Sequence, residues 1–200
     1  MISGYDVQKR EKAKSWLRNI VIMIVLVQAS FFIYELSINI SSALTSATLT
    51  LVDPNFFLLT IDNISNIGLE IIFFTLYIVV LLFTSILLIV RYAIVSIGVV
   101  FFPIAIFSYF IQPLRSYGLL ILNFLGVAMF ITFLDTLILI GFSRLVEVGI
   151  FANIKILLMI SAFLLINIVT FFLMFFSIIK SAFSAGSKIA GIVAKVAGFL

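Results

Sequence analysis

Along most of this chain, apolar runs close to the length of a bilayer crossing alternate with shorter polar segments. The first run covers residues 17–38, with Gln28 and Ser30 midway and Tyr34 and Glu35 near its far end. The second covers 67–90, and a third, 92–111, follows a lone Arg91. A fourth, 119–141, carries Asn123, Gly126, Thr132 and Asp135; the fifth, 156–179, holds Ser161, Asn167 and Thr170. A helix needs roughly 20 apolar residues to cross hydrocarbon. No alternating barrel pattern is present, and lipid admits only helices or closed barrels. The pattern predicts an all-α, polytopic transmembrane helix bundle: one domain over 1–200 with five apolar spans.

The polar segments orient it. Residues 1–16 form a basic lead-in, and Lys9, Arg10, Lys12, Lys14 and Arg18 place it on the cytoplasmic side, with Trp16 at the headgroups. Residues 39–66 are rich in Ser, Thr and Asn, with Asp53-Pro54-Asn55 as a turn signal, and no Lys or Arg occurs between Arg18 and Arg91. That stretch reads as an external loop. Its patches at 49–52 and 56–61 are too short to span and are expected on the interface or on a partner. Asn39-Ile40-Ser41 and Asn63-Ile64-Ser65 match the glycosylation pattern, which arises often by chance. In the tail, 180–200, Lys188 and Lys195 share one helical face opposite an apolar stripe, as in an amphipathic interfacial helix. No repeats or heptads stand out.

Residues 91–118 decide the topology. If 92–111 crosses, a turn falls at Arg91, and Arg115 and the tail lysines lie outside. If 92–112 instead dips in and returns, broken at Gly98 or Pro103, every basic residue except Arg144 and Lys155 lies inside. Charge favours the re-entrant reading. Length favours the crossing one, and a transmembrane helix tolerates Pro103 as a kink. No Gly, Pro or Asn flanks Arg91 to help a turn there. The crossing reading, with five spans, is the expectation.

Ionisable groups in the apolar field cost about 2.5–3.5 kcal/mol each on insertion scales, so each needs a reason. In five spans, Asp135 and Arg91 fall on one side of the membrane and are expected to pair. Glu35, Glu70 and Arg115 gather on the other. A proton or cation relay, or a pore lining, is the functional alternative for Asp135; no neighbouring His or Glu extends it into a chain. The structural or pore candidates are therefore Arg91, Pro103, Pro113, Arg115, Asp135 and Glu70. The contacts to membrane surface or phosphate are Lys9, Arg10, Lys12, Lys14, Arg18, Lys188 and Lys195. Asn123, Gly126, Thr132 and Asn167 read as helix–helix contacts.

Composition narrows the chemistry. The chain is 64% hydrophobic and 10% charged, with no Cys and no His. Disulfides, thiolate or imidazole metal sites and Cys or His nucleophiles are excluded. No phosphate-binding loop, dinucleotide fingerprint, zinc-protease pair or nucleophile elbow occurs. The expectation is no enzyme, no cofactor and no metal; energised work needs a partner.

The segment Arg91–Gly118 resembles the TrbL family, polytopic membrane subunits of type IV secretion and conjugation machines. There an Arg opens an apolar segment, a Pro follows past its middle, and a polar link with Pro and Arg precedes the next span. Here these are Arg91, Pro103 with Ile104-Ala105, and Gln112-Pro113-Leu114-Arg115. Size and lack of catalytic motifs are similar to the archaeal, CedA-like branch of DNA import. The resemblance implies a homo-oligomer in the cytoplasmic membrane, around a translocation path for DNA. It also implies a separate ATPase and small pilin-like membrane proteins as partners. The alternatives are a stand-alone small transporter or ion channel, and a scaffold for other membrane proteins.

Overall fold

The computed structural model describes residues 3–58, 67–152 and 154–197, with side chains described at 9–58, 71–151, 154–176 and 179. The described residues form helices and turns and no strand. Helix α1 spans Ser3–Leu49, α2 Ile67–Phe110, α3 Arg115–Val146, α4 Gly149–Ala152 and α5 Lys155–Ala197. Short 3-10 turns occupy Pro54–Phe57 and Gln112–Leu114. Among the described residues, four helices are long and apolar enough to cross a membrane, over Lys9–Leu49, Ile71–Phe110, Gln112–Val146 and Lys155–Phe176.

Three expectations change. The turn expected at Arg91 is absent, because α2 is one 44-residue helix that also runs unbroken through Gly98 and Pro103. Its Leu-Ile-Val before Arg91 and Tyr-Ala-Ile after it contain nothing that stops a helix. The break falls instead after Phe110, where Pro113 sits in a 3-10 turn whose Leu114 N–H donates to Ile111 O at 3.0 Å. Separate spans 67–90 and 92–111, and a dip broken at Gly98 or Pro103, are thus not how the chain is built.

The second change concerns the Ser/Thr-rich stretch after residue 38, which is helical to Leu49. In water such residues compete with the helix, but here their hydroxyls donate back into it. Thr45 donates to Ser41 O and Thr48 to Leu44 O, each at 2.8 Å. The loop expected from residue 39 therefore begins only after Leu49. Third, one residue of each apolar patch packs on its own chain: Val52 and Phe56 are buried, and Phe56 joins a core with Tyr77, Ile156, Met159 and Phe163. Leu49, Leu51, Phe57 and Leu58 are exposed, and residues 59–61 lie outside the described residues. The basic lead-in is helical and continuous with α1, exposed from Lys9 to Asn19. The tail backbone is helical to Ala197, whereas the faces of Lys188 and Lys195, and the second glycosylation pattern, lie outside the described residues.

The chain divides into two compact units. One comprises Met1–Leu36, Ile97–Leu125 and Ser177–Leu200; the other comprises Ser37–Ser96 and Gly126–Phe176. In the first, two glycines permit close approach. A Cβ on Gly98 would meet Tyr34 Oη and Leu125 Cδ2, and one on Gly118 would meet backbone atoms of Tyr109 and Ala105. Tyr34 also packs its ring on Phe102, with centroids 5.2 Å apart.

In the second unit, α1 and α3 run parallel along a seam spaced by seven residues. Ser41 Oγ donates to Met129 O at 2.6 Å, and the Thr48 and Thr136 hydroxyls share a bond of 2.7 Å. Beyond them, Asp53 N–H donates to Ser143 Oγ at 2.9 Å. Small polar residues thus repeat at 136 and 143 on α3 and at 41 and 48 on α1, the period of knobs-into-holes packing. The Ser41 hydroxyl of the first glycosylation pattern is spent here.

Candidate functional site

Lipid offers no hydrogen bonds, so polar side chains within an apolar bundle must find partners inside it. In the second unit they gather where α2, α3 and α5 meet. Arg91 comes from α2, Asp135 from α3, and Asn167 and Thr170 from α5, with Thr84 two turns before Arg91. Together they line a cavity of about 10 Å³, the space one water needs. Periodicity explains the gathering: Thr84, Leu87, Leu88 and Arg91 recur at three- and four-residue steps on one face of α2.

The structure places Arg91 and Asp135 in this one cavity but does not pair them. Arg91 Nε donates to Ala128 O at 2.7 Å and Nη2 to Met129 O at 3.4 Å. Asp135 accepts through Oδ1 from the Thr170 hydroxyl at 3.2 Å. The expected direct ion pair is therefore corrected to two separate anchors. The reason is reach. Arg91 extends along α3 towards carbonyls almost two turns before Asp135, and its planar fork suits two adjacent acceptors. The opposite charges still attract across the cavity.

This geometry gives a first prediction. Arg91→Lys is expected to lower unfolding stability in detergent by about 1–2 kcal/mol, because lysine replaces two donor nitrogens held in one plane, Nε on Ala128 O and Nη2 on Met129 O, by a single nitrogen. Asp135→Asn keeps an acceptor for Thr170 and is expected to cost less than half as much. Equal losses, measured by denaturant titration, would restore the direct pair.

The remaining candidates lie elsewhere. In the first unit, Arg115 donates to Tyr109 Oη at 3.0 Å, with its guanidinium 4.8 Å from that ring's centre. It clamps the α2–α3 turn and does not gather with Glu35, while the side chain of Glu70 lies outside the described residues. Pro103 lies inside α2, and Pro113 forms the turn. Lys9, Arg10, Lys12, Lys14 and Arg18 stand exposed along α1. Thr132 Oγ1 and Asn167 Oδ1 are buried with no protein partner, so these atoms make no interhelical bond.

Sequence reasoning assigned no role to Lys155 beyond its charge. It is buried at the start of α5, with Nζ donating to Asn55 O and Leu58 O, both at 2.5 Å. Asp53 Oδ1, in turn, accepts from Asn55 N–H at 2.9 Å and fixes the turn that presents those carbonyls. The Asp-Pro-Asn signal marked this turn, but nothing in the pattern marked its partner. Exposed Arg144 and Glu147 form an ion pair of 2.8 Å beside the same α3–α5 connection. No group of three or more acidic residues capable of holding a metal occurs among the described residues. Compared with family models, with curated proteins and with solved structures, the chain matches none.

Proposed function

We infer that this chain is a non-catalytic membrane subunit that assembles into the platform or channel of a DNA-transfer apparatus driven by a separate ATPase. The observation that carries the assembly part is the length of α2. Its predominantly apolar segment Ile71–Phe110, 40 residues long, rises roughly 60 Å, about twice the hydrocarbon thickness. Tilting a helix to hide that excess needs an angle beyond the usual range of about 0–40°. Only 17% of its most apolar stretch is buried within the chain. The surplus apolar surface therefore needs protein neighbours, which suits a multi-subunit assembly better than a stand-alone transporter. The DNA-transfer part rests on the resemblance of Arg91–Gly118 to the TrbL family.

Four crossings suit the charges. With the α1 lead-in in the cytoplasm, Arg115 and the tail lysines fall on the same side, and Arg144 and Lys155 fall opposite. A single cysteine at Ser116, in a chain with no native Cys, is expected to react with an impermeant maleimide from the cytoplasmic side. Reaction from outside would restore five crossings. For the function itself, the full chain extracted with its native lipids is expected to run as a ring-sized oligomer that co-purifies with an ATPase. A monomer that conducts ions in liposomes would overturn the reading.

A further inference from the structure

Among the described residues of the second unit, two buried side-chain oxygens have no protein partner, Thr132 Oγ1 and the amide oxygen of Asn167, and of these the second belongs to a residue that lines the cavity. Asn167 is 5% exposed, and its Oδ1 accepts no hydrogen bond from the protein. It faces the cavity shared by Thr84, Arg91, Asp135 and Thr170. Leaving a buried acceptor unmade costs more than an ordinary hydrogen bond gains.

The lining dictates what fits. The hydroxyl protons of Thr84 and Thr170 are already committed, to Val80 O at 2.8 Å and to Asp135 Oδ1 at 3.2 Å. What these residues, the carboxylate and Asn167 Oδ1 still offer is electron pairs. Arg91 has five N–H groups and uses two of them on Ala128 and Met129, so it still has hydrogens to donate. An occupant must therefore donate hydrogen bonds on one side, accept one on the other, and fit about 10 Å³. A metal cation accepts nothing from a guanidinium, and it would add a charge to a pair that already balances. An anion would face the carboxylate.

We propose that this cavity is a binding site for one ordered water, which bridges Arg91 to Asp135 and Asn167 as a water-separated ion pair joining α2, α3 and α5. Water of this kind, with two to four polar partners, is a structural component of many folded chains. The site is independent of what the assembly transports.

Radiolytic hydroxyl labelling of the full chain in lipid nanodiscs tests this without any mutation. Ile166 lines the cavity and Ile160 does not, although both lie on α5 and are 5% and 4% exposed. A bound water is expected to make Ile166 label about threefold faster or more. Equal labelling overturns the proposal. A double-mutant cycle of Arg91→Met and Asn167→Leu gives a second readout, since no direct bond joins the two side chains. Bridging predicts coupling of about threefold or more in the unfolding equilibrium, and coupling near one overturns it. Melting temperature is expected to be the same in sodium chloride and choline chloride. Stabilisation by sodium alone would identify a cation as the occupant and overturn the water.

Discussion

Replacing Gly118 by alanine is expected to cost about 2–3 kcal/mol of unfolding stability, the upper part of the range for overpacking a close contact. A Cβ there would lie 2.5 Å from Tyr109 N and 2.6 Å from Ala105 O. Both are backbone atoms of α2, and Ala105 is fully buried. Backbone cannot step aside as a rotamer can, so the α2–α3 hairpin must open around its short turn at Gln112–Leu114. Opening it also parts Arg115 from Tyr109. Gly98→Ala supplies the control, because its Cβ would meet the Tyr34 hydroxyl and a Leu125 methyl. These are side-chain atoms, which yield more readily than backbone even though Tyr34 is buried against Phe102, and the expected loss is below about 2 kcal/mol. Denaturant titration of both variants in the same detergent decides the matter: losses of equal size would mean that the α2–α3 approach is looser than described.

Lys155→Met is expected to be of similar severity, about 3 kcal/mol, and more local in its effect. Methionine keeps the apolar stem but supplies no donor, so the carbonyls of Asn55 and Leu58 lose the same charged partner together. The lysine also sits where the α5 dipole disfavours positive charge, so these carbonyls are what hold it there. Hydrogen exchange gives the clearest readout. Amides of Asp53 and of residues 55–58 are expected to exchange more than about tenfold faster while those of α3 change little, the signature of local opening. Uniform acceleration along the chain would assign Lys155 to global stability instead.

These two positions show where the sequence was legible and where it was not. The membrane class was legible in the length of the apolar runs, because crossing hydrocarbon sets a minimum length for every span. Helix ends followed less well. Arg91 looked like a boundary because charge is rare in lipid, yet a guanidinium that reaches backbone carbonyls on a neighbour lets its own helix continue. The Ser/Thr-rich stretch looked like a loop because propensities describe helices in water, where hydroxyls compete for the backbone. Gly118 and Lys155 carried no local signal, since their roles depend on atoms brought close by tertiary folding. Arg91, Asp135, Asn167 and Thr170 were visible singly as polar residues in apolar runs. Which of them touch was not, because reach and rotamer decide that.

The seven-residue spacing between α1 and α3 bears on sliding. Ser41 and Thr48 meet Met129 O and Thr136 in register. Displace α1 by one or two residues and these interhelical bonds are lost, leaving the threonine hydroxyls only the carbonyls of their own helix. A shift of three residues, roughly 4.5 Å along the axis, would set Ser41 against Thr132 and Thr45 against Thr136, and one of seven, roughly 10.5 Å, would set Ser41 against Thr136 and Thr48 against Ser143. Between such positions the interhelical hydroxyl bonds are lost, so polar spacing divides any sliding of this pair into discrete steps, like the notches of a latch.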